Sequence, residues 1–150
     1  MPHIVDGDNL LGSWPGRDRS HAQKRTLARE IGRFATAARR RILLVFDGET
    51  PVPPLGGSEV LFAGGGRSAD DLILATLRRA SDRGGWTVVT NDRPLGDRSR
   101  SLGARIERCD QFRVRLTTLR ADEKPGEEEE VESWMEVFGG EGQVGSSGST

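Results

Sequence analysis

Residues 42–48 read ILLVFDG, five apolar residues in a row and then Asp47 and Gly48. A strand with one wet face alternates apolar and polar residues, so an unbroken run predicts a strand covered on both faces, as in a parallel sheet between helices. The Asp-Gly pair that closes it is ordinary turn chemistry. Outward from this run, HIV (3–5), EVLFA (59–63), WTVVT (86–90) and, more weakly, ARIER (104–108) are the other strand candidates.

Helical patterns separate them. Residues 20–40 put Leu27, Ile31, Phe34, Ala35 and Ala38 on one face, with Ser20 and Gln23 as a capping box. Residues 67–85 form the clearest helix: Ser68 is the N-cap with Asp71 three residues on, Leu72, Ile73, Thr76, Leu77 and Ala80 face inward, and Gly84 is the stop. Residues 93–103 read as a polar loop or a short helix, and 110–121 as a closing helix. Strands alternating with helices imply parallel βαβ units and an α/β domain over residues 1–121.

The composition supports a single core of modest size. Apolar residues make up 34% and there are 20 glycines among 150 residues, so part of the chain is expected to stay unpacked. The lone Cys109 excludes an internal disulfide framework and a cysteine-rich zinc site, and reads as a buried or half-buried strand-end thiol. No 18-residue apolar run exists, nor a basic segment leading into an apolar one at the start, so the expectation is no membrane span and a cytoplasmic protein. Residues 1–121 carry a net charge of +7 and residues 122–150 a net charge of −8. A basic body with an acidic tail is a common pattern in nucleic-acid-binding proteins, although a merely arginine-rich surface gives the same count. The Gly/Ser-rich end of the tail is expected to be disordered, while Val131, Trp134, Met135 and Phe138 within 131–138 fall at helical spacing and read as a short docking segment.

The chemistry lies in where the acids fall. Asp6 follows the first strand, Asp47 the second and Asp92 the WTVVT strand, while Asp70 and Asp71 open the helix after EVLFA. In a parallel sheet all these positions share the carboxyl-terminal edge, where open α/β sheets bind ligands. Each acid alone is explained by a turn or a helix cap. Together they repel unless a cation or a proton holds them, and oxygen-only ligands favour Mg²⁺ or Mn²⁺ over zinc. Arg67, Arg93, Arg98 and Arg100 flank the acidic segments and are candidates for holding nucleic-acid backbone phosphates. Trp14 is a candidate for stacking on a base, or else a Trp-Pro lid on the core. His3 and His21 have no partner that suggests a catalytic pair.

Four stretches, VDGDNLLGSWP (5–15), LLVFDG (43–48), SADDLIL (68–74) and VVTNDR (88–93), resemble the NYN domains of the PIN-like ribonuclease superfamily, and most of all their YacP-like branch. The resemblance covers about residues 2 to 120, four motifs in the right order and spacing. It implies a three-layer α/β/α fold around a parallel sheet and an endoribonuclease that uses Mg²⁺ or Mn²⁺. It assigns metal binding and catalysis to Asp6, Asp70 and Asp92, with Asp47, Asp71 and Asn9 in support. The implied partner is RNA, free or presented on a ribosome. Asp8 departs from the pattern, since the branch usually has Tyr there, and it is either a further metal contact or a solvent-facing acid.

The same residues have three rival readings. A haloacid-dehalogenase phosphatase also starts with a strand and Asp-x-Asp, here Asp6 and Asp8, but needs a lysine at the site, and the chain has only Lys24 in the first long helix and Lys124 in the tail. A P-loop reading of AGGGRSADD lacks Gly-Lys-Ser/Thr and places acids where phosphates would sit. A PIN-like domain that binds RNA or protein without cutting is the stronger rival, since the acidic tail could mask the basic body.

Overall fold

The computed structural model describes residues 2–48, 59–80 and 83–122. They form β1 (His3–Asp6), α1 (Gly7–Gly12), α2 (His21–Ala38), β2 (Ile42–Phe46), β3 (Glu59–Phe62), α3 (Ala69–Arg79), a short 3-10 turn (Arg83–Gly85), β4 (Thr87–Val89), α4 (Arg93–Ser101), β5 (Arg105–Glu107) and α5 (Cys109–Asp122). Residues Met1–Leu116 make one compact unit, and Thr117 onward falls in a second. The acidic tail and the segment at 131–138 lie outside the described residues.

All five strands are parallel, in the order β3-β2-β1-β4-β5. This is an α/β fold with helices on both faces of one sheet. Because side chains alternate along each strand, Ile4, Leu43, Val45 and Val88 share one face and pack with Ile73, Leu74 and Leu77 of α3 and Leu95 of α4. On the opposite face His3 meets Phe112 of α5 at 6.2 Å, and Phe112 meets Phe34 of α2 edge-on at 5.7 Å. Ile42, Leu44 and Phe46 point to this second face and are buried, as are Leu27 and Ile31 of α2. Burial on both faces accounts for the unbroken apolar run of β2. Strand β3 lies at the sheet edge, where Glu59 and Leu61 are exposed and Val60 and Phe62 half-buried.

Two segments differ from their sequence reading or settle it. Residues 7–12, for which the sequence suggests no regular element, form α1, whose Leu10 and Leu11 are fully buried. A helix this short is not visible as periodicity; it exists because two adjacent leucines anchor it. Residues 93–101, left open between loop and helix, are helical. Asp92 caps them by accepting the Leu95 N–H at 3.1 Å, and a proline stands in the first turn, where its missing N–H costs nothing. Among the described residues no helix is long and apolar enough to cross a membrane.

Candidate functional site

The chain runs from β1 outward through β2 to β3, then returns to lay β4 on the other side of β1. The crevice between the carboxyl ends of β1 and β4 is therefore the topological switch point, where open α/β sheets take ligands. Asp6 ends β1 and Asp92 follows β4, so both acids stand at that crevice.

One hydroxyl ties them. Thr90 Oγ1 donates to Asp6 Oδ2 at 3.0 Å and accepts the Asp92 backbone N–H at 3.0 Å. Next to it, Asn9 Oδ1 accepts the Asn91 N–H at 2.7 Å, and Asn91 Oδ1 accepts the Cys109 N–H at 2.9 Å. These bonds lock α1, the loop after β4 and the start of α5 together. A second chain of bonds serves Asp70. Lys24 Nζ of α2 lies 3.6 Å from Asp8 Oδ1, Asp8 Oδ2 accepts the Asp47 N–H at 2.7 Å, and Asp47 Oδ1 accepts the Ala69 N–H at 2.7 Å. Asp47 thus holds the first turn of α3, where Asp70 stands. Asp71 closes the capping box, accepting the Ser68 N–H while its own N–H donates to the Ser68 hydroxyl.

Burial pushes the Asp6 carboxyl up to about 7, against the pull of the Thr90 hydroxyl; Asp70 adds to the rise, the Asn9 backbone N–H opposes it, and Asp47 raises it further. Asp70 is likewise raised, first by partial burial and then by Asp92, Asp47 and Asp71, with Arg98 opposing. Asp6, Asp70 and Asp92 therefore share one electrostatic neighbourhood. Among the described residues no three His, Cys, Asp or Glu side chains stand close enough to hold a metal ion as placed. The donor set nevertheless fits a hard cation: all the donors are carboxylate oxygens, and their mutual repulsion is what a divalent ion relieves.

The remaining candidates fall in different places. Arg93 and Arg100 line a cleft beside Asp92, and Arg98 acts on Asp70. Arg67 is exposed in the loop before α3, where three successive glycines, Gly64 to Gly66, take left-handed conformations that other residues avoid. Trp14 carries the Arg17 guanidinium 3.8 Å over its ring, with Arg113 at 5.9 Å, so a base would have to compete with these arginines for its faces. Asp8, read as a metal contact or a solvent-facing acid, is buried and spends its oxygens on Lys24 and the Asp47 backbone. Lys24, read as remote from the acids in the first long helix, in fact reaches one of them. Sequence reasoning missed Thr90 altogether; the one available signal is that it shares strand parity with Val88, on the face opposite Val89. His3 is buried, 3.8 Å from Glu107, and His21 is exposed.

A model of the YacP-like NYN domain matches residues 3–136. Among solved structures, Rae1 (YacP) from Bacillus subtilis is similar at a TM-score of 0.70 and 18% identity, covering 81% of this chain and 76% of that one. Its W164L mutant is similar at the same TM-score and 19% identity, covering 81% and 77%. No curated protein matches the sequence.

Proposed function

The chain belongs to the YacP-like NYN domain family, and from that premise we propose that it is a Mg²⁺- or Mn²⁺-dependent endoribonuclease that hydrolyses RNA phosphodiester bonds. The observation that carries this reading is the bridging of Asp6 and Asp92 by one Thr90 hydroxyl at the switch point, with Asp70 within their field. Asp6, Asp70 and Asp92 would hold the ion, which when bound supplies Lewis acidity and acidifies a water molecule. Thr90 orients Asp6, Asp47 sets the position of Asp70 through Ala69, and Asn9 braces the loop that carries Asp92. Arg93, Arg98 and Arg100 would bind the flanking phosphates. RNA, free or on a ribosome, is the partner this reading requires, and the cytoplasm the compartment.

The test is cleavage of a mixed pool of labelled RNAs in Mn²⁺, Mg²⁺ and EDTA, with Asp92→Asn in parallel. Asparagine is as good an N-cap as aspartate, so the variant keeps α4 while losing a charge. Cutting that needs the metal and is lost in the variant supports the reading. RNA binding without cutting in any metal, on ribosome-presented RNA as well as on the free pool, overturns it in favour of a binding module.

A further inference from the structure

A cleft of about 580 Å³ opens beside Asp92, between α4, β5 and the start of α5. We propose that it is a binding pocket for one nucleotide of the RNA strand, the neighbour of the scissile phosphate. This rests on the nuclease reading for its orientation, since Asp92 belongs both to the acidic cluster and to the cleft wall.

The size lies within the roughly 300–1,000 Å³ of small-molecule sites. The lining is rich in donors: Arg93, Arg100 and Arg108 all belong to it. Gln111 Oε1 already accepts the Arg108 N–H at 3.2 Å, and Asn91 Oδ1 the Cys109 N–H at 2.9 Å, so both amides have their NH₂ groups left to offer. A donor-rich pocket needs an acceptor-rich occupant, and a nucleotide is one, with phosphate oxygens and base-edge nitrogens and carbonyls. The acids that oppose the arginines are weak competitors. Arg100 meets Asp97 at 3.3 Å and Arg108 meets Asp110 at 3.5 Å, but all four side chains are more than half exposed, and exposed pairs exchange partners cheaply. Ile106 supplies an apolar wall for a base.

Gly96 leaves one stretch of the cleft wall without a side chain. It is a mid-helix residue of α4 that lines the cleft, and a Cβ there would make ordinary contact with Ile106, 3.7 Å from Cγ2. Nothing steric demands glycine, and glycine costs helix stability. A side chain longer than alanine would grow into the space a base would occupy.

The test is titration of the full chain in EDTA with each nucleoside 5′-monophosphate and with inorganic phosphate, followed by the backbone amide resonances. Saturable shifts at Asn91, Arg93, Gly96, Arg108 and Gln111 are expected, larger with nucleotide than with phosphate. Gly96→Met should fill the pocket, and Arg108→Ala should remove a cation without altering the helix. Each is expected to weaken nucleotide binding about tenfold or more, the scale of losing a charged hydrogen bond. The variants' spectra and melting curves check that they fold. Shifts elsewhere, equal binding of phosphate alone, or unchanged affinity in both variants overturn the pocket. EDTA separates this outcome from the nuclease reading: an enzyme that cuts RNA but ignores these variants loses only the pocket, while nucleotide binding without cleavage loses only the nuclease.

Discussion

The Thr90 hydroxyl lies 3.0 Å from Asp6 Oδ2 and links the central strand β1 to its neighbour β4 at their carboxyl ends. Asp6 is only 5% exposed, so this donor is one of the few groups that solvate its carboxylate. On the proposed function Thr90 is a positioning residue, acting on the site through Asp6 and through the Asp92 backbone. Thr90→Val keeps the shape and removes the hydroxyl, and should cost about 1–3 kcal/mol in urea unfolding, because a buried acid and a backbone N–H lose their partner. RNA cleavage should fall with it. Thr90→Ser should restore both, which a purely packing role for the methyl group would not allow.

The Asp6 carboxyl itself sets a pH dependence. Burial, then Asp70 and Asp47, raise it from 3.8 to about 7 despite Thr90 and Asn9. The folded state thus holds this proton more tightly than the unfolded one. Its contribution to stability is full below about pH 4 and is lost as pH rises through about 7, an effect of roughly 4 kcal/mol. Asp70 shifts in the same direction. In EDTA, the advantage of Asp6→Asn over the native chain in urea midpoint should therefore grow from pH 4 to pH 8. A difference that is flat with pH would show that Asp6 is already charged and well solvated.

A divalent ion should reverse that penalty. Millimolar Mn²⁺ or Mg²⁺ near pH 7.5 is expected to raise the melting temperature by a few degrees, since a ligand that binds only the folded state stabilises it by mass action. The rise should disappear in Asp6→Asn and Asp70→Asn and persist in Asp71→Asn, whose carboxylate serves the capping box. Equal rises in all three variants would place the ion elsewhere.

Cys109 gives an internal control on the packing of this corner. The thiol is buried and meets Asn9 Oδ1 at 3.3 Å, and burial pushes it up to about 11. Alkylation at pH 8 should be slow in the folded protein and fast in urea. Rapid labelling of the folded chain would mean that the joint between α1 and α5 opens.

The layer order was legible in the sequence because strands such as ILLVF and helices such as that within 67–85 declare themselves by local pattern and caps, although that helix ends at Arg79, short of the Gly84 stop. The convergence of Asp6, Asp70 and Asp92 on one edge followed from parallel strands alone. What each polar residue does there was not legible. Asp8 bonds to the backbone of Asp47, 39 positions on, and Asn9 to that of Asn91, 82 positions on. No local pattern carries such a pairing. Thr90 had no turn or cap signature to mark it, and α1 was too short to show a period. Charge also misled at Lys24, whose reach to Asp8 depends on how α2 lies against α1.

Gly7 bears on the fold and the site at once. A Cβ built there would lie 2.4 Å from Phe46 Cε1 and 2.7 Å from its Cδ1. Phe46 is fully buried and stacks on Phe62 at 5.4 Å, so its ring has little room to retreat. Alanine is the better helix former by up to about 1 kcal/mol, yet overpacking a core of this kind costs about 1–3 kcal/mol, so the clash should win. Gly7→Ala is therefore expected to lower the urea midpoint. Cleavage should fall as well, because Gly7 adjoins Asp6 and Phe46 adjoins Asp47. The decisive measurement is a double-mutant cycle with Phe46→Leu, a smaller side chain. If the clash is the cause, the two substitutions together should cost less than the sum of their separate costs, with a coupling of at least about 0.5 kcal/mol. Simple additivity would mean that Gly7 is there for a reason other than the approach of Phe46.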